Sequence, residues 1–228
     1  MIHNRLISSL MASVFVLCPA AVLAESDTGP NIDGLELVEK DRRGEIYAAR
    51  DVDWQNYKKL KFDEVTVAFR KDWLRDQNRG RKSLSNRVTA NDADRIRNEL
   101  ASLFEEVFIK ELSENSDWVI VEDNAEDVLL IKPSIVDLDV YAPDIQGASR
   151  TRSYTDSAGK MTLKLELYDS ATGAILALAS NRQESPDRGY VTWATKGSNK
   201  AEARTILQKW AKALDRRLSE ATGKAASD

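Results

Sequence analysis

The chain has 228 residues, 42% hydrophobic and 31% charged, with 33 Lys plus Arg against 37 Asp plus Glu for a net charge of −4. That balance excludes non-specific nucleic-acid binding as the main task, because a polyanion binder carries a basic excess. The single histidine, His3, and the single cysteine, Cys18, both fall in the first 24 residues. Loss of that segment would exclude the usual zinc sets and the Ser-His and Cys-His nucleophile pairs.

Residues 1–24 read as a secretion signal. A weakly positive start at Arg5 precedes an apolar run from Leu6 to Leu17, and the tail Pro19-Ala20-Ala21-Val22-Leu23-Ala24 offers a cleavage point after Ala24. A spanning helix needs roughly 20 apolar residues; this run is shorter and has no stop-transfer charges behind it. Lipid attachment at Cys18 is disfavoured, since bulky Leu17 stands where an acylation motif wants a small residue. The expectation is a periplasmic or secreted protein starting at Glu25, with no transmembrane segment in the mature chain. It would keep 228 − 24 = 204 residues and, without Arg5, 32 basic against 37 acidic residues, net −5. That length suits one domain whose core needs no disulfide.

Residues 25–34 are polar with Gly29, Pro30 and Gly34, a flexible lead, and order is expected from Leu35 to residue 222. Large apolar residues through Tyr47, Trp54 and Tyr57 follow no clear period and predict irregular structure. Val65, Val67 and Phe69 alternate with polar or small neighbours, predicting a strand over Lys61–Arg70. Arg70 to Arg87 has no helical period and reads as a basic loop. A helix then opens near Thr89 or Asn91 and carries the stripe Ala93, Ile96, Leu100, Leu103, Phe104, Val107, Phe108, Leu112 to about Ser113. Trp118–Val121 predicts a short strand buried on both faces. Asp127–Tyr141 predicts a long one, with Pro133 marking a bulge or edge position. Met161, Leu163, Leu165 and Leu167 give the clearest one-sided strand. A turn at Asp169–Gly173 and a return strand Ala174–Gln183 complete a hairpin. Asn199 with Glu202 has capping-box spacing and opens a last helix carrying Ile206, Leu207, Trp210, Leu214 and Leu218. Residues 223–228 are a fraying tail.

This order predicts an α+β two-layer sandwich: a mostly antiparallel sheet of about five strands with two long helices on one face. The first strand and the Trp118 strand are candidate parallel neighbours joined by the first helix.

Several segments resemble a known family. They are Asp51-Val52-Asp53-Trp54, Asp63-Glu64-Val65-Thr66-Val67, Trp73, Asn78-Arg79, Asp127-Val128-Leu129, Ala142-Pro143-Asp144, Gly159-Lys160-Met161-Thr162-Leu163, Tyr168-Asp169-Ser170 and Trp210-Ala211. Together, from about Leu35 to Leu218, they are similar to the bacterial family catalogued as domain of unknown function 3313. The resemblance implies an exported envelope protein, in a family with many lipoproteins and no established activity. The architecture is also similar to the amino-terminal domain of TolB.

Carboxylate, lysine and tyrosine chemistry remains for the mature chain. Asp137 and Asp139, two apart on a strand, are expected on one face about 7 Å apart, with Asp144 nearby. Such a cluster suits glycan hydrolysis or a hard cation, and equally a solvated strand face. Ser157 and Lys160 have S-x-x-K spacing but enter a strand, where that pair does not work. Arg70–Arg87 holds seven basic residues against two acidic ones. Trp73, Arg75, Arg79, Arg81 and Lys82 there, with Arg150 and Arg152 of a second loop, are the candidate binding residues for phosphate or carboxylate groups of lipopolysaccharide, peptidoglycan or an envelope protein. Trp54 and Trp193 are further ligand-surface candidates. The leading expectation is a non-catalytic binding or assembly-accessory module acting through these loops, with no cofactor and no metal. The alternative is a carboxylate-dependent glycan-acting enzyme using Asp137, Asp139 or Asp144.

Overall fold

A computed structural model describes residues 34–81, 83, 86–114, 116, 118–141, 143, 153–155, 159–185, 192–194 and 196–224, all within one unit, Ile32–Asp228. The signal and lead expectations fall outside the described residues. The first elements are β1 (Leu35–Lys40), β2 (Gly44–Ala49), a 3-10 turn at Trp54–Asn56, β3 (Lys59–Phe62), β4 (Thr66–Phe69), α1 (Trp73–Asn78) and α2 (Ala90–Glu114). There follow β5 (Val119–Ile120), β6 (Val128–Val140), β7 (Ser153–Thr155), β8 (Gly159–Asp169), β9 (Ile175–Glu184), β10 (Thr192–Ala194) and α3 (Lys196–Thr222).

The alternation of β8 sets the layers. Met161, Leu163, Leu165 and Leu167 are buried in the helix-side core, while β6 and β9 flank the strand antiparallel. The sheet has eight strands in the order β1-β2-β9-β8-β6-β3-β5, with β4 also beside β6, and β7 pairs with β10 apart from it. The expectation of about five mostly antiparallel strands is therefore corrected to a mixed sheet of eight, since β3 and β4 lie parallel to β6 and β5 parallel to β3. The parallel neighbours are present as expected: Lys59 pairs with Val119 and Leu60 with Ile120, with α2 in the connection.

Four local expectations change for physical reasons. The segment expected to be irregular contains the β1–β2 hairpin, turned by Asp41, whose Oδ1 accepts the Arg43 and Gly44 backbone N–H groups at 2.7 Å each. As an edge strand β1 is mostly exposed, so it carries no burial period. The single strand expected at Lys61–Arg70 is two, because the chain breaks pairing at residues 63–65. Pro133 faces that break. Asp63 N–H bonds Ile131 O at 2.9 Å, so residue 133, two further on, also points toward β3 and β4, and its missing donor costs no ladder bond. Val119 is 55% exposed, so β5 is not buried on both faces. Finally, α3 starts three residues before Asn199.

Thr89 caps α2: its Oγ1 accepts Asp92 N–H at 3.1 Å, while Asp92 Oδ2 accepts Thr89 N–H at 3.0 Å. The expected stripes of α2 and α3 are buried apart from half-buried Ile96 and Ala203, with Phe108, Leu112, Leu207 and Ala211 at 0% exposure. Glu106 pairs with Arg204, and Trp118, just past α2, bonds Asp215, so the two helices run in the same direction. No helix of the described residues is long and apolar enough to cross a membrane.

Candidate functional site

The basic segment is a folded brace. Trp73 opens α1, is 1% exposed and stacks on Phe69 with ring centroids 3.9 Å apart. Its Nε1–H donates to Val140 O at 3.1 Å, and Gln77 Nε2 donates to the same oxygen at 2.9 Å. With Val88 and Ala93 it forms a small second core that also touches Ile96 and Val140. Trp73 therefore offers no ring face to solvent. Asn78 exchanges two 2.8 Å hydrogen bonds with the Val88 backbone, and Arg81 donates to the Gln77 and Asn86 carbonyls.

The arginines around α1 answer its aspartates. Arg70 bonds Asp76 at 2.8 Å and Asp139 at 2.9 Å; Arg75 lies 3.1 Å from Asp72, and Arg79 lies 3.6 Å from Asp76. The Arg70 guanidinium holds the Asp76 carboxyl below its ordinary pKa. Arg75 and Arg79 remain 63% and 77% exposed at their side chains. Lys82, Arg150, Arg152, Asp144 and Ser157 lie outside the described residues, as does the side chain of Trp193. Trp54 packs half-buried against the main core.

Asp137 and Asp139 do not follow simple alternation. Asp137 has φ +52°, and the β6–β8 register shifts between Val136 and Asp139, so a bulge separates the two carboxylates. Asp137 is exposed; Asp139 is 6% exposed, held by Arg70 and 3.9 Å from Lys160. Among the described residues no group of three or more His, Cys, Asp or Glu could hold a metal ion.

The bulge end of β6 instead lines a cleft of about 380 Å³, closed by the first halves of α2 and α3 and the start of β8. Its apolar wall is Ile96, Leu100, Leu103, Leu138, Val140, Pro143, Met161, Ala203 and Ile206. Arg95, Glu99, Glu106, Asp139, Lys160 and Lys200 supply the charges around it. Each carboxylate already has an arginine: Glu99 has Arg95 at 3.5 Å, Glu106 has Arg204 at 2.8 and 3.1 Å, and Asp139 has Arg70. Arg204 draws the Glu106 carboxyl below its ordinary pKa. Trp73 and Gln77, by fixing Val140 O, hold the strand end that forms one wall. Of the residues expected to bind that are described, Asp139 of the acidic set is the one that lines the cleft. The helical residues of the wall carried just a core signal in the sequence, being the leading ends of the two helical stripes, and Met161 carried the strand alternation of β8.

The sequence profile of the family described as "Protein of unknown function (DUF3313)" matches residues 25–214. The chain belongs to this family. No curated protein matches it. Among solved structures it is similar to the PelC dodecamer from Paraburkholderia phytofirmans, at 10% identity over 80% of this chain and 99% of that one, TM-score 0.37. It is also similar to a DUF330 protein from Xanthomonas campestris, at 11% identity over 74% and 87%, TM-score 0.38. A PDZ domain protein from Parabacteroides distasonis aligns at 12% identity over 86% and 39%, TM-score 0.39. At such scores these likenesses carry no argument about this chain.

Proposed function

We propose that this DUF3313 member is exported after cleavage at Ala24 and works as a non-catalytic binding module of the cell envelope, its ligand entering the cleft between α2, α3 and the ends of β6 and β8. The observation that carries this is the cleft's make-up: a continuous apolar wall of ligand-site size whose three carboxylates are each held by an arginine. General acid catalysis at neutral pH needs a carboxyl pKa pushed upward, and Arg204 draws that of Glu106 the other way. The basic segment acts with the cleft: α1 braces its wall, and exposed Arg75 and Arg79 extend the charged surface beside it. Lipopolysaccharide, peptidoglycan and envelope proteins are the candidate partners.

Titration of the purified protein with the neutral dye N-phenyl-1-naphthylamine tests this. Saturable one-to-one binding is expected, lost at least tenfold in Ala203→Phe, which fills the cleft from α3. Unsaturable binding, or equal binding by the variant, would refute the site. Release of reducing ends from peptidoglycan by the wild-type protein, abolished by Asp139→Asn, would return the glycan-acting alternative. Amino-terminal sequencing of the envelope fraction should begin at Glu25.

A further inference from the structure

We infer that the cleft takes the aliphatic chain of an amphiphile with an anionic head group, an inference that rests on the cleft being the binding site. The wall chemistry selects the chain. Among the described residues every apolar side chain lining it is aliphatic, from Leu100 and Leu103 on α2 to Met161 on β8 and Ile206 on α3. The nearest tryptophan of the basic segment, Trp73, is committed to Phe69 and Val140. A sugar or a planar ring is gripped by aromatic faces and by unspent polar groups. A flexible hydrocarbon chain asks only for apolar surface, gaining about 0.8 kcal/mol per methylene taken from water.

The charges select the head. The cleft's three carboxylates are each engaged by an arginine, so they offer little to an incoming cation. The two lysines are held loosely. Lys160 stands 3.9 Å from Asp139, whose closer partner is Arg70 at 2.9 Å. Among the described residues no carboxylate lies within ion-pair distance of Lys200, whose charge acts on Glu106 from further off. Arg70 divides itself between Asp76 and Asp139, and Lys160 is the looser of Asp139's two cationic partners, so its ammonium can turn toward the cleft, where Lys200 supplies a second from α3. A carboxylate or phosphate head settling between them completes the arrangement, and either a free fatty acid or a phospholipid carries that chemistry.

The test is fluorescence titration of the purified protein with cis-parinaric acid, followed by competition with saturated fatty acids of increasing length and with dodecanol. Affinity should rise roughly fourfold per added methylene until the cleft is full. Dodecanoate should compete at least tenfold better than dodecanol, and the double variant Lys160→Gln, Lys200→Gln should erase most of that advantage while keeping the length dependence. Dodecanol matching dodecanoate, or no length dependence, overturns the inference. Should the neutral dye fill the cleft, with Ala203→Phe excluding it, while no fatty acid binds, this inference falls and the cleft remains a binding site; if neither binds, both fall. The length series uses only the wild-type protein, so a variant that misfolds leaves a decisive readout. Uptake of a chain-labelled phosphatidylglycerol from vesicles, set against uptake of the free acid, identifies the source of the chain.

Discussion

The two ends of the helix pair meet the same sheet differently. At the far end Trp118 donates to Asp215 at 3.2 Å, Tyr57 donates to Asp169 at 2.8 Å, and Ser170 bonds both backbone groups of Ala125. Polar groups there point inward and are closed by hydrogen bonds, so the layer is sealed. At the near end the aliphatic stripes of α2 and α3 line the cleft together with the ends of β6 and β8, and charges gather around it. A buried hydrogen-bonded network needs each partner in place and fixes one arrangement. An aliphatic wall with paired charges at its edge tolerates a guest.

The largest expected effect comes from the brace at the open end. Trp73→Ala should cost about 3–5 kcal/mol, read by urea denaturation, and should also weaken dye binding because Val140 loses its anchor. A stability loss with unchanged dye binding would separate α1 from the cleft. Next, Gly159→Ala would set a Cβ 2.1 Å from Asp139 O, at φ +144°, and should cost about 3 kcal/mol. The sealed end supplies the contrast. Gly173→Ala, in the β8–β9 turn, meets nothing within 4 Å and should cost about 1 kcal/mol for its positive φ alone.

A smaller effect is set by pH at the sealed end. Burial works to raise the Asp169 pKa, but hydrogen bonds from Thr172, Tyr57 and Ala171 outweigh it and hold the value below the ordinary 3.8. A pKa lower in the folded than in the unfolded chain contributes stability above pH 3.8 that is lost as pH falls through the folded value. Asp169→Asn should cost about 1–2 kcal/mol at pH 7 and flatten the acid limb of the stability profile. An acid limb that persists unaltered would assign it to other carboxylates. Smallest of all, Arg75→Gln with Arg79→Gln should move stability by no more than about 0.5 kcal/mol, as exposed pairs do.

What the sequence made legible follows from how each residue is buried. The stripes of α2 and α3, the alternation of β8 and the Asp169–Gly173 turn were readable because each has a one-sided environment with a fixed period. The β1–β2 hairpin was not, since its outer strand has no covered face to impose one. Short α1 hid among charges: its buried face is essentially Trp73, and one apolar residue makes no period. The cleft was legible only as helix core, because a sequence shows which residues seek cover and not where the cover stops. The carboxylate pair failed for a narrower reason: a single bulge at Asp137 breaks the alternation on which it depended.

The outermost strand, β1, bears on how molecules meet. Leu37 and Val38 are 51% and 66% exposed, the sort of edge that invites a neighbour to add a strand. Yet pairing with β2 slips between Leu37 and Glu39, and Glu36, Glu39 and Lys40 are tied to Arg50, Arg217 and Glu45. A second chain sliding alongside would have to match an irregular backbone and strip charged partners at the same moment. Crowding many copies together should therefore give colloidal spacing before it gives ribbons.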